Sequence, residues 1–412
     1  MKIAVLGGGG AGCAIALELA AAGHQSVVFE SRDEILRGAT SVNEGKIHQG
    51  FIYAKDDPQS TAQIMARGAV SFRKHLSRWI DADAAIQRST PFIYAIHRDT
   101  QLSVARLKAH YQSCCAIFNT VRAAQNGDYL GCQSPAHFEE LSAAEVSELV
   151  DPEHFLALIR TSELGVDPRP IARALRDAVR TSAAIEVRTQ ARVTGVVTDP
   201  RGRYRLQFKE GANDGDGPFD HVVNATWESR LAIDASMGIA APPAYSIRHK
   251  YGHRVQIELS PEDLPSLTTV LGPFGDVVNY GPNGLFLSWY PTGMTSMVSN
   301  APMRDDWYKI DRDSGLKNFE ESSAMWRRLC PPLRALGFER DDIDPASGLI
   351  YAVGDTDIDD LASGLHLRND VGVQSVGGYH TVNTGKYTLF PMLAVTAAER
   401  IVGRRTKSKS AA

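Results

Sequence analysis

The chain has 412 residues, of which 43% are hydrophobic and 22% charged, and carries a net charge of −4 at neutral pH. That length exceeds what one core usually supports and implies two domains; no run approaches the roughly 18 apolar residues of a membrane span, and the charge offers no basic field for nucleic acid. Five cysteines, an odd number without metal-ligand spacing, read as buried thiols rather than a disulfide framework or a metal site.

Met1 to Glu30, MKIAVLGGGGAGCAIALELAAAGHQSVVFE, reads as a strand, a glycine turn, a helix and a second strand ending on an acid. Ile3 to Leu6 form the strand. Gly7, Gly9 and Gly12 then fill a G-x-G-x-x-G turn, with Gly10 and Ala11 between the last two. The first glycine permits the tight turn, the second the approach of a pyrophosphate, and the third the packing of helix on strand, while the helix N-terminus faces the phosphates. Ala16, Leu19 and Ala20 give the helix a small-residue inner face, Gly23 ends it, and Val27 to Phe29 form the next strand. Glu30 stands about 20 residues past the glycines, where a carboxylate takes the ribose hydroxyls of an adenosine. The segment predicts a nucleotide cofactor; the plainer alternative is a glycine turn that only joins strand to helix. With a strand already starting at Lys2, no signal peptide is expected and a cytoplasmic location follows.

An NAD-binding domain would continue into another strand and helix. Arg37 to Tyr53, RGATSVNEGKIHQGFIY, has no such period. It resembles the stretch that runs along the cofactor from pyrophosphate to isoalloxazine in the D-amino acid oxidase (DAO) superfamily of FAD enzymes. The likeness is strongest to the L-2-hydroxyglutarate and glycerol-3-phosphate dehydrogenase branches, whose stretch carries an I-H-x-G core near a tyrosine; Ile47, His48, Gly50 and Tyr53 match.

Three later segments resemble the superfamily in the same order. Val166, Asp167 and Pro168 open a helix through Val179, followed by strands over Ile185 to Arg188 and Ala191 to Val197. His221 to Trp227, HVVNATW, is an apolar strand similar to V-x-A-T-G, with Trp227 in place of the glycine. Val376 to Leu389, VGGYHTVNTGKYTL, is a glycine-rich loop ahead of a closing helix over Phe390 to Val402, and Gly385, Lys386 and Thr388 are similar to the G-K-x-T of the glycerol-3-phosphate dehydrogenases.

The resemblance implies an α/β fold with a Rossmann-type FAD domain, discontinuous over residues 1–90, 150–235 and 345–405, and a mostly antiparallel α+β substrate domain over 91–149 and 236–344. In the latter, Phe92 to Ile96, Arg254 to Leu259 and Gly284 to Tyr290 read as strands, and Gly315 to Leu329 as a helix. Gly211 to Gly217 reads as a surface turn, Arg404, Arg405, Lys407 and Lys409 as a solvated end, and 406–412 as a disordered tail. The implied FAD contacts are Gly7, Gly9, Gly10, Ala11, Gly12, Glu30, Ser31, Arg32, Thr40, Ser41, Asn43, Gly45, Lys46, Val193, Ala225, Thr226, Gly378, Gly385, Lys386, Tyr387 and Thr388.

The implied activity is oxidation of a CH–OH or CH–NH group of a small molecule by hydride transfer to flavin N5, with electrons passed to oxygen, a quinone or another carrier. His48 is the candidate base, since imidazole titrates near neutrality; the alternative is a histidine satisfied by backbone. Lys386 is the candidate cation near the flavin or substrate, and Tyr53 a hydrogen-bond donor or a tyrosine packed at a domain seam. Tyr379, His380 and Asn383 are recommended only by sharing the last loop, while Glu44 and Lys46 pair with each other or face solvent. Ser347 to Tyr351, SGLIY, offers Ile350 where glycerol-3-phosphate dehydrogenases carry an arginine, so no phosphate clamp is expected. Arg248, His249, Lys250, Tyr280 and Tyr290 remain as substrate-domain candidates. The rival readings are a flavin monooxygenase, which would need NAD(P)H although no second G-x-G-x-x-G is present, and a non-redox flavin protein such as a mutase or a scaffold.

Overall fold

Strand Lys2–Leu6 is buried at four of its five residues and pairs in parallel with Gln25–Phe29 on one side and His221–Asn224 on the other. In the computed structural model, which describes residues 1–403 except 57–58, 210–215, 309–310, 359, 361–362, 366 and 369, these three strands centre a six-stranded sheet. Its order is Gly372–Val376, Tyr379–Asn383, His221–Asn224, Lys2–Leu6, Gln25–Phe29, Ile185–Arg188, and only the first strand is antiparallel to its neighbour. A parallel strand as apolar as Ile3 to Leu6 needs cover on both faces. Ile3 and Val5 pack among residues of helices Gly10–Ala21 and Phe390–Ile401, whereas Ala4 and Leu6 pack on Val196, Leu206 and Phe219 of a three-stranded antiparallel sheet.

A second, nine-stranded and largely antiparallel sheet runs Met294–Ser299, Tyr245–Val255, Leu285–Trp289, Gly275–Asn279, Ser266–Thr269, Phe92–His97, Phe155–Thr161, Phe138–Glu140, with Ile343–Val353 paired along the full length of Tyr245–Val255. Helix Arg312–Leu329 covers one face through Trp326, which stacks edge-on against Trp289 and donates its indole N–H to the Ser288 carbonyl at 2.8 Å.

Several expected boundaries move. Phe155–Thr161 and Ile343–Val353 belong to this sheet although the sequence placed them largely with the FAD segments; each completes a ladder, on Phe92–His97 and Tyr245–Val255 respectively. The strand expected over Arg254 to Leu259 instead stops at Val255, where its pairing with Ile343 runs out. The expected loop Val376 to Leu389 contains Tyr379–Asn383, a fully buried central strand whose neighbouring glycines are confined to its ends. Helices Ser60–Leu76 and Val104–Gln125 add a layer that the sequence reading had not placed. Of the turn expected over 211–217, Gly217 lies in strand Asp216–Phe219; residues 211–215, the basic end Arg404, Arg405, Lys407 and Lys409, and the tail 406–412 lie outside the described residues. Among the described residues no helix is long and apolar enough to cross a membrane.

One buried polar knot holds the centre of the parallel sheet. The Asp234 carboxylate, fully buried, accepts from Asn224 Nδ2, the Tyr379 hydroxyl and the Thr381 hydroxyl, and lies 3.1 Å from Arg230 Nη1. Removing a buried anion that balances a buried cation costs about 3–5 kcal/mol. Asp234→Ala is therefore expected to lose about that much stability by urea unfolding, and a change within experimental error would show that the knot carries no load.

Candidate active site

The carboxyl ends of the parallel strands open into one cleft enclosing about 1710 Å³ of empty space including its open mouth, the place where open parallel sheets take ligands. Gly7, Gly9, Gly10, Ala11, Glu30, Ser31, Arg32, Thr40, Asn43, Lys46, His48, Val193, Ala225, Thr226, Gly385, Lys386 and Tyr387 all line it. The three turn glycines differ in what excludes a side chain. A Cβ on Gly7 would lie 2.6 Å from the Ala225 oxygen, and one on Gly12 only 1.9 Å from the Gly7 oxygen, so both are dictated by packing of the protein on itself. A Cβ on Gly9 would meet only Thr40 Oγ1 at 3.5 Å and would otherwise enter the cleft, so there the excluded object is a ligand. Thr40 Oγ1 accepts the first helical N–H, that of Gly10, at 2.8 Å, and Glu30 is fixed at the strand end by the N–H groups of Gly8 and Arg32, both at 2.9 Å.

The remaining sequence candidates support the cleft from behind or stand away from it. Ser41 donates to the Gly38 carbonyl, and Gly45 has its N–H on Asn43 Oδ1. Thr388 takes the His48 N–H at 3.0 Å and donates to the Lys46 carbonyl, while Tyr53 stacks edge-on behind the His48 ring. Gly378 does not reach the cleft: it begins strand Tyr379–Asn383 at the opposite end, where its N–H bonds the Tyr204 hydroxyl and its neighbours are Asp220 and His221. Tyr379, His380 and Asn383 are likewise engaged within the sheet, bonded to Asp234, to His221 and Ser375, and to Asp370. In the second sheet Lys250 lines the cleft, but Arg248 donates to the Thr356 carbonyl, His249 bonds Thr295 and Ser347, the Tyr280 hydroxyl donates to the Glu44 carbonyl, and the Tyr290 hydroxyl donates to Asp357.

A charged group of side chains gathers on the cleft from four segments. Lys46 Nζ lies 2.9 Å from Asp276 Oδ1 and above the Phe92 ring, so its partner is Asp276 and not Glu44. Burial would raise the Asp276 carboxyl, but Lys46 and Lys250 outweigh it and hold the group at about 2. Half-buried Glu44 also stays below the usual carboxylate range, burial being overcome chiefly by Lys386. Burial, helped by Arg368, Lys46 and Lys250 and opposed by Glu44, pushes Lys386 down to about 8. Arg368 also lines the cleft; two of its donor bonds go to the Leu365 and Leu367 carbonyls. Gly348, Leu349 and Ile350 form an uncharged wall, so the position expected to lack an arginine faces the cleft with an alkyl group.

His48 is 2% exposed, lines the cleft, and has no hydrogen-bond partner on either ring nitrogen among the described residues. Its Nδ1 stands 3.6 Å from Oε1 of Glu163, which is fully buried. Burial lowers the His48 pKa, with Glu163 acting against it and Lys386 and Lys46 with it. Burial would raise Glu163, yet His48, Lys46 and the Tyr94 hydroxyl keep it below the usual carboxylate range. Glu163 and Arg368 were absent from the sequence reading. The signal for Glu163 was the acid of TSEL, directly before the Gly-Val-Asp-Pro segment that announced the helix. Trp227, standing where the superfamily has glycine, keeps the glycine-like backbone at φ +55° and donates its indole N–H to the Leu349 carbonyl at 2.8 Å.

The family model described as DAO, FAD dependent oxidoreductase, matches residues 2–276, more than half of the chain. The chain belongs to that family of FAD dependent oxidoreductases. A curated relative, an FAD-dependent monooxygenase of Fusarium mangiferae, is 25% identical over 292 residues; the match covers 69% of this chain and 62% of that protein's length. The fold is similar to that of glycine oxidase from Geobacillus kaustophilus, with a TM-score of 0.68 at 16% identity over 98% of this chain and 96% of that one. It is also similar to FAD-bound L-alpha-glycerophosphate oxidase from Mycoplasma pneumoniae, with a TM-score of 0.63 at 15% identity over 100% and 96%.

The glycine geometry separates binding from folding. Gly9→Leu is expected to fold with the thermal stability of the wild-type apoprotein and to purify without flavin, whereas Gly12→Leu should not fold stably. Absorbance near 450 nm, the usual oxidised-flavin band, and released FAD after denaturation read the first variant; full FAD occupancy in Gly9→Leu would place the pyrophosphate elsewhere.

Proposed function

We propose that this family member oxidises the CH–OH group of a small hydroxy compound, with His48 as the base that takes the hydroxyl proton. The observation that carries the proposal is a buried imidazole that faces the cleft with no bond to protein on its ring nitrogens. FAD, when bound, supplies the two-electron chemistry by taking a hydride at flavin N5. The residues present fit that cofactor: the Gly7 to Ala11 turn and helix N-terminus for the pyrophosphate, the Glu30 carboxylate for the ribose and the Val193 backbone for the adenine. The I-H-x-G and G-K-x-T elements support a hydroxy substrate over an amine.

The lowered His48 pKa keeps the ring neutral at pH 7 and so able to accept a proton. Lys386, Lys250 and Arg368 favour negative charge in the cleft, and Val42, Phe286, Leu349 and Trp227 supply apolar wall to it. Ile350 cannot replace a guanidinium clamp, which makes glycerol 3-phosphate a poor candidate substrate.

His48→Gln is expected to retain FAD and to slow anaerobic flavin reduction by about 10²- to 10⁴-fold, the range of a lost general base, using whichever of a panel of small 2-hydroxy acids reduces the wild type fastest. The loss should persist at saturating substrate, because an interaction of the transition state is missing. In the wild type the rate should rise with pH through the His48 titration, below the ordinary histidine range, and fall again through about 8 as Lys386 loses its proton. An unchanged limiting rate and profile in the variant would leave His48 structural.

The relative in Fusarium mangiferae favours a second reading, a monooxygenase. That reaction needs a nicotinamide nucleotide as reductant, and the chain has one G-x-G-x-x-G turn. On the oxidase or dehydrogenase reading, NADH and NADPH reduce the flavin slowly or not at all; rapid bleaching by either in stopped flow would move the protein to the monooxygenase class.

A further inference from the structure

We infer that Glu163 is the positioning residue for His48: its carboxylate holds the proton of the imidazole on Nδ1 and leaves the Nε2 lone pair for the cleft. The inference rests on the reading of His48 as a base and names what sets the state of that base.

Backbone register brings the two residues together. Lys46 pairs with Gly165 and Ile47 with Leu164 in a short antiparallel ladder, so the next rung sets His48 opposite Glu163. Tyr129 fastens this ladder, its hydroxyl donating to the Ile47 carbonyl and accepting the Leu164 N–H at 2.9 Å. The His48 backbone is held by Thr388, as described above.

The Glu163 carboxylate is equally fixed. Oε2 accepts the Gln49 N–H at 2.6 Å, and Oε1 accepts the Tyr94 hydroxyl and faces His48 Nδ1 at 3.6 Å, a charge contact rather than a formed hydrogen bond. An ionised carboxylate only accepts, so the nitrogen turned toward it is the protonated one and the other carries the lone pair. Two neutral donors do not balance a fully buried negative charge, and the nearest lysine, Lys46, is bonded to Asp276; the Nδ1–H dipole, and the imidazolium once a proton arrives, supply what is missing. The charged and titratable groups facing His48 are Glu163 across the ladder, Lys46 beside it, Lys386 from the last loop and the Tyr53 hydroxyl behind the ring. Of these, Glu163 favours the protonated ring and the two lysines oppose it.

The test reads the imidazole itself and needs no substrate. In FAD-loaded protein ¹⁵N-labelled at its 12 histidines, His48 is assigned by its loss in His48→Gln, and its ring nitrogens are followed against pH. The wild type should show the Nδ1–H tautomer. Glu163→Gln should lower the titration midpoint by about one unit or more and mix the tautomers, because the amide either donates or accepts. Tyr94→Phe should move the midpoint the other way, since a carboxylate relieved of one donor attracts the imidazole proton more strongly. A residue that only packs would change stability without opposed shifts, so an Nε2–H wild type, or midpoints unmoved in both variants, overturns the inference. Should Glu163→Gln fail to fold, the direction seen in Tyr94→Phe decides alone. These outcomes are independent of the His48→Gln kinetics: a dyad with the expected tautomer can exist beside an unaltered reduction rate, and the base reading can hold without Glu163.

Discussion

Two chain segments far apart in sequence cross at Gly45, and the site depends on that crossing. Gly45 sits at φ +64°, its carbonyl accepts the Val166 N–H at 2.9 Å, and a Cβ there would lie 1.8 Å from the Val166 oxygen. No other residue allows that approach. The contact starts the ladder that continues through Lys46, Ile47 and His48 on one side and Gly165, Leu164 and Glu163 on the other. It also sets Asp167, the N-cap of helix Pro168–Thr181, within 3.4 Å of Arg254 in the second sheet. Backbone sterics at one position thus bring a helix cap, a candidate base and its carboxylate partner into register.

Burying charge around such a crossing is costly unless each group finds an opposite. Lys46 is paired with Asp276 at 2.9 Å, Lys386 and Glu44 each lie in the field of the other, and Glu163 faces the Nδ1 edge of the neutral His48 ring. Near these groups the cleft also carries the cations Lys250 and Arg368, and Arg368 Nε has no hydrogen-bond partner among the described residues. An alkyl wall at Leu349 and Ile350 lines the same cleft. The cleft is therefore polarised, with cations and a neutral imidazole near an apolar surface, and the depressed Lys386 is the expected consequence of crowding cations in a partly desolvated space.

Legibility in the sequence followed the range of the interaction. The glycine turn, Glu30, the I-H-x-G stretch and G-K-x-T were readable because each is a local pattern whose backbone demands a residue type, and the structure brings all of them to one cleft. Glu163 lies 115 positions from His48 and is joined to it only by ladder register, which no local pattern encodes. Arg368 comes from a segment with no periodicity. Strand Tyr379–Asn383 was hidden because the glycines that flank it suggested a loop, and Gly378 was drawn to the cofactor by the same error: the loop that meets the cleft begins only after Asn383. The assignments of Phe155–Thr161 and Ile343–Val353 shifted for a related reason, since a strand's sheet is chosen by distant partners and not by its own alternation.

Trp227 shows how a departure from the family pattern can keep its backbone and change its wall. The left-handed conformation at this position costs a residue with a Cβ of order 1–2 kcal/mol, which explains the family's glycine. Here the indole offsets that cost: its N–H takes the Leu349 carbonyl at 2.8 Å and its ring meets Tyr351 edge-on, 6.0 Å between centroids. Both partners belong to Ile343–Val353, the strand that also carries Ile350. One side chain thereby fastens the end of the parallel sheet to the second sheet on the cleft itself. That strand carries no arginine, so this wall of the cleft is aromatic and aliphatic while lysines stand on other segments of the lining. On the proposed reading of His48 as the base, a substrate would set an apolar flank against Trp227, Leu349 and Ile350 and its polar, oxidisable end toward His48, Lys250 and Lys386.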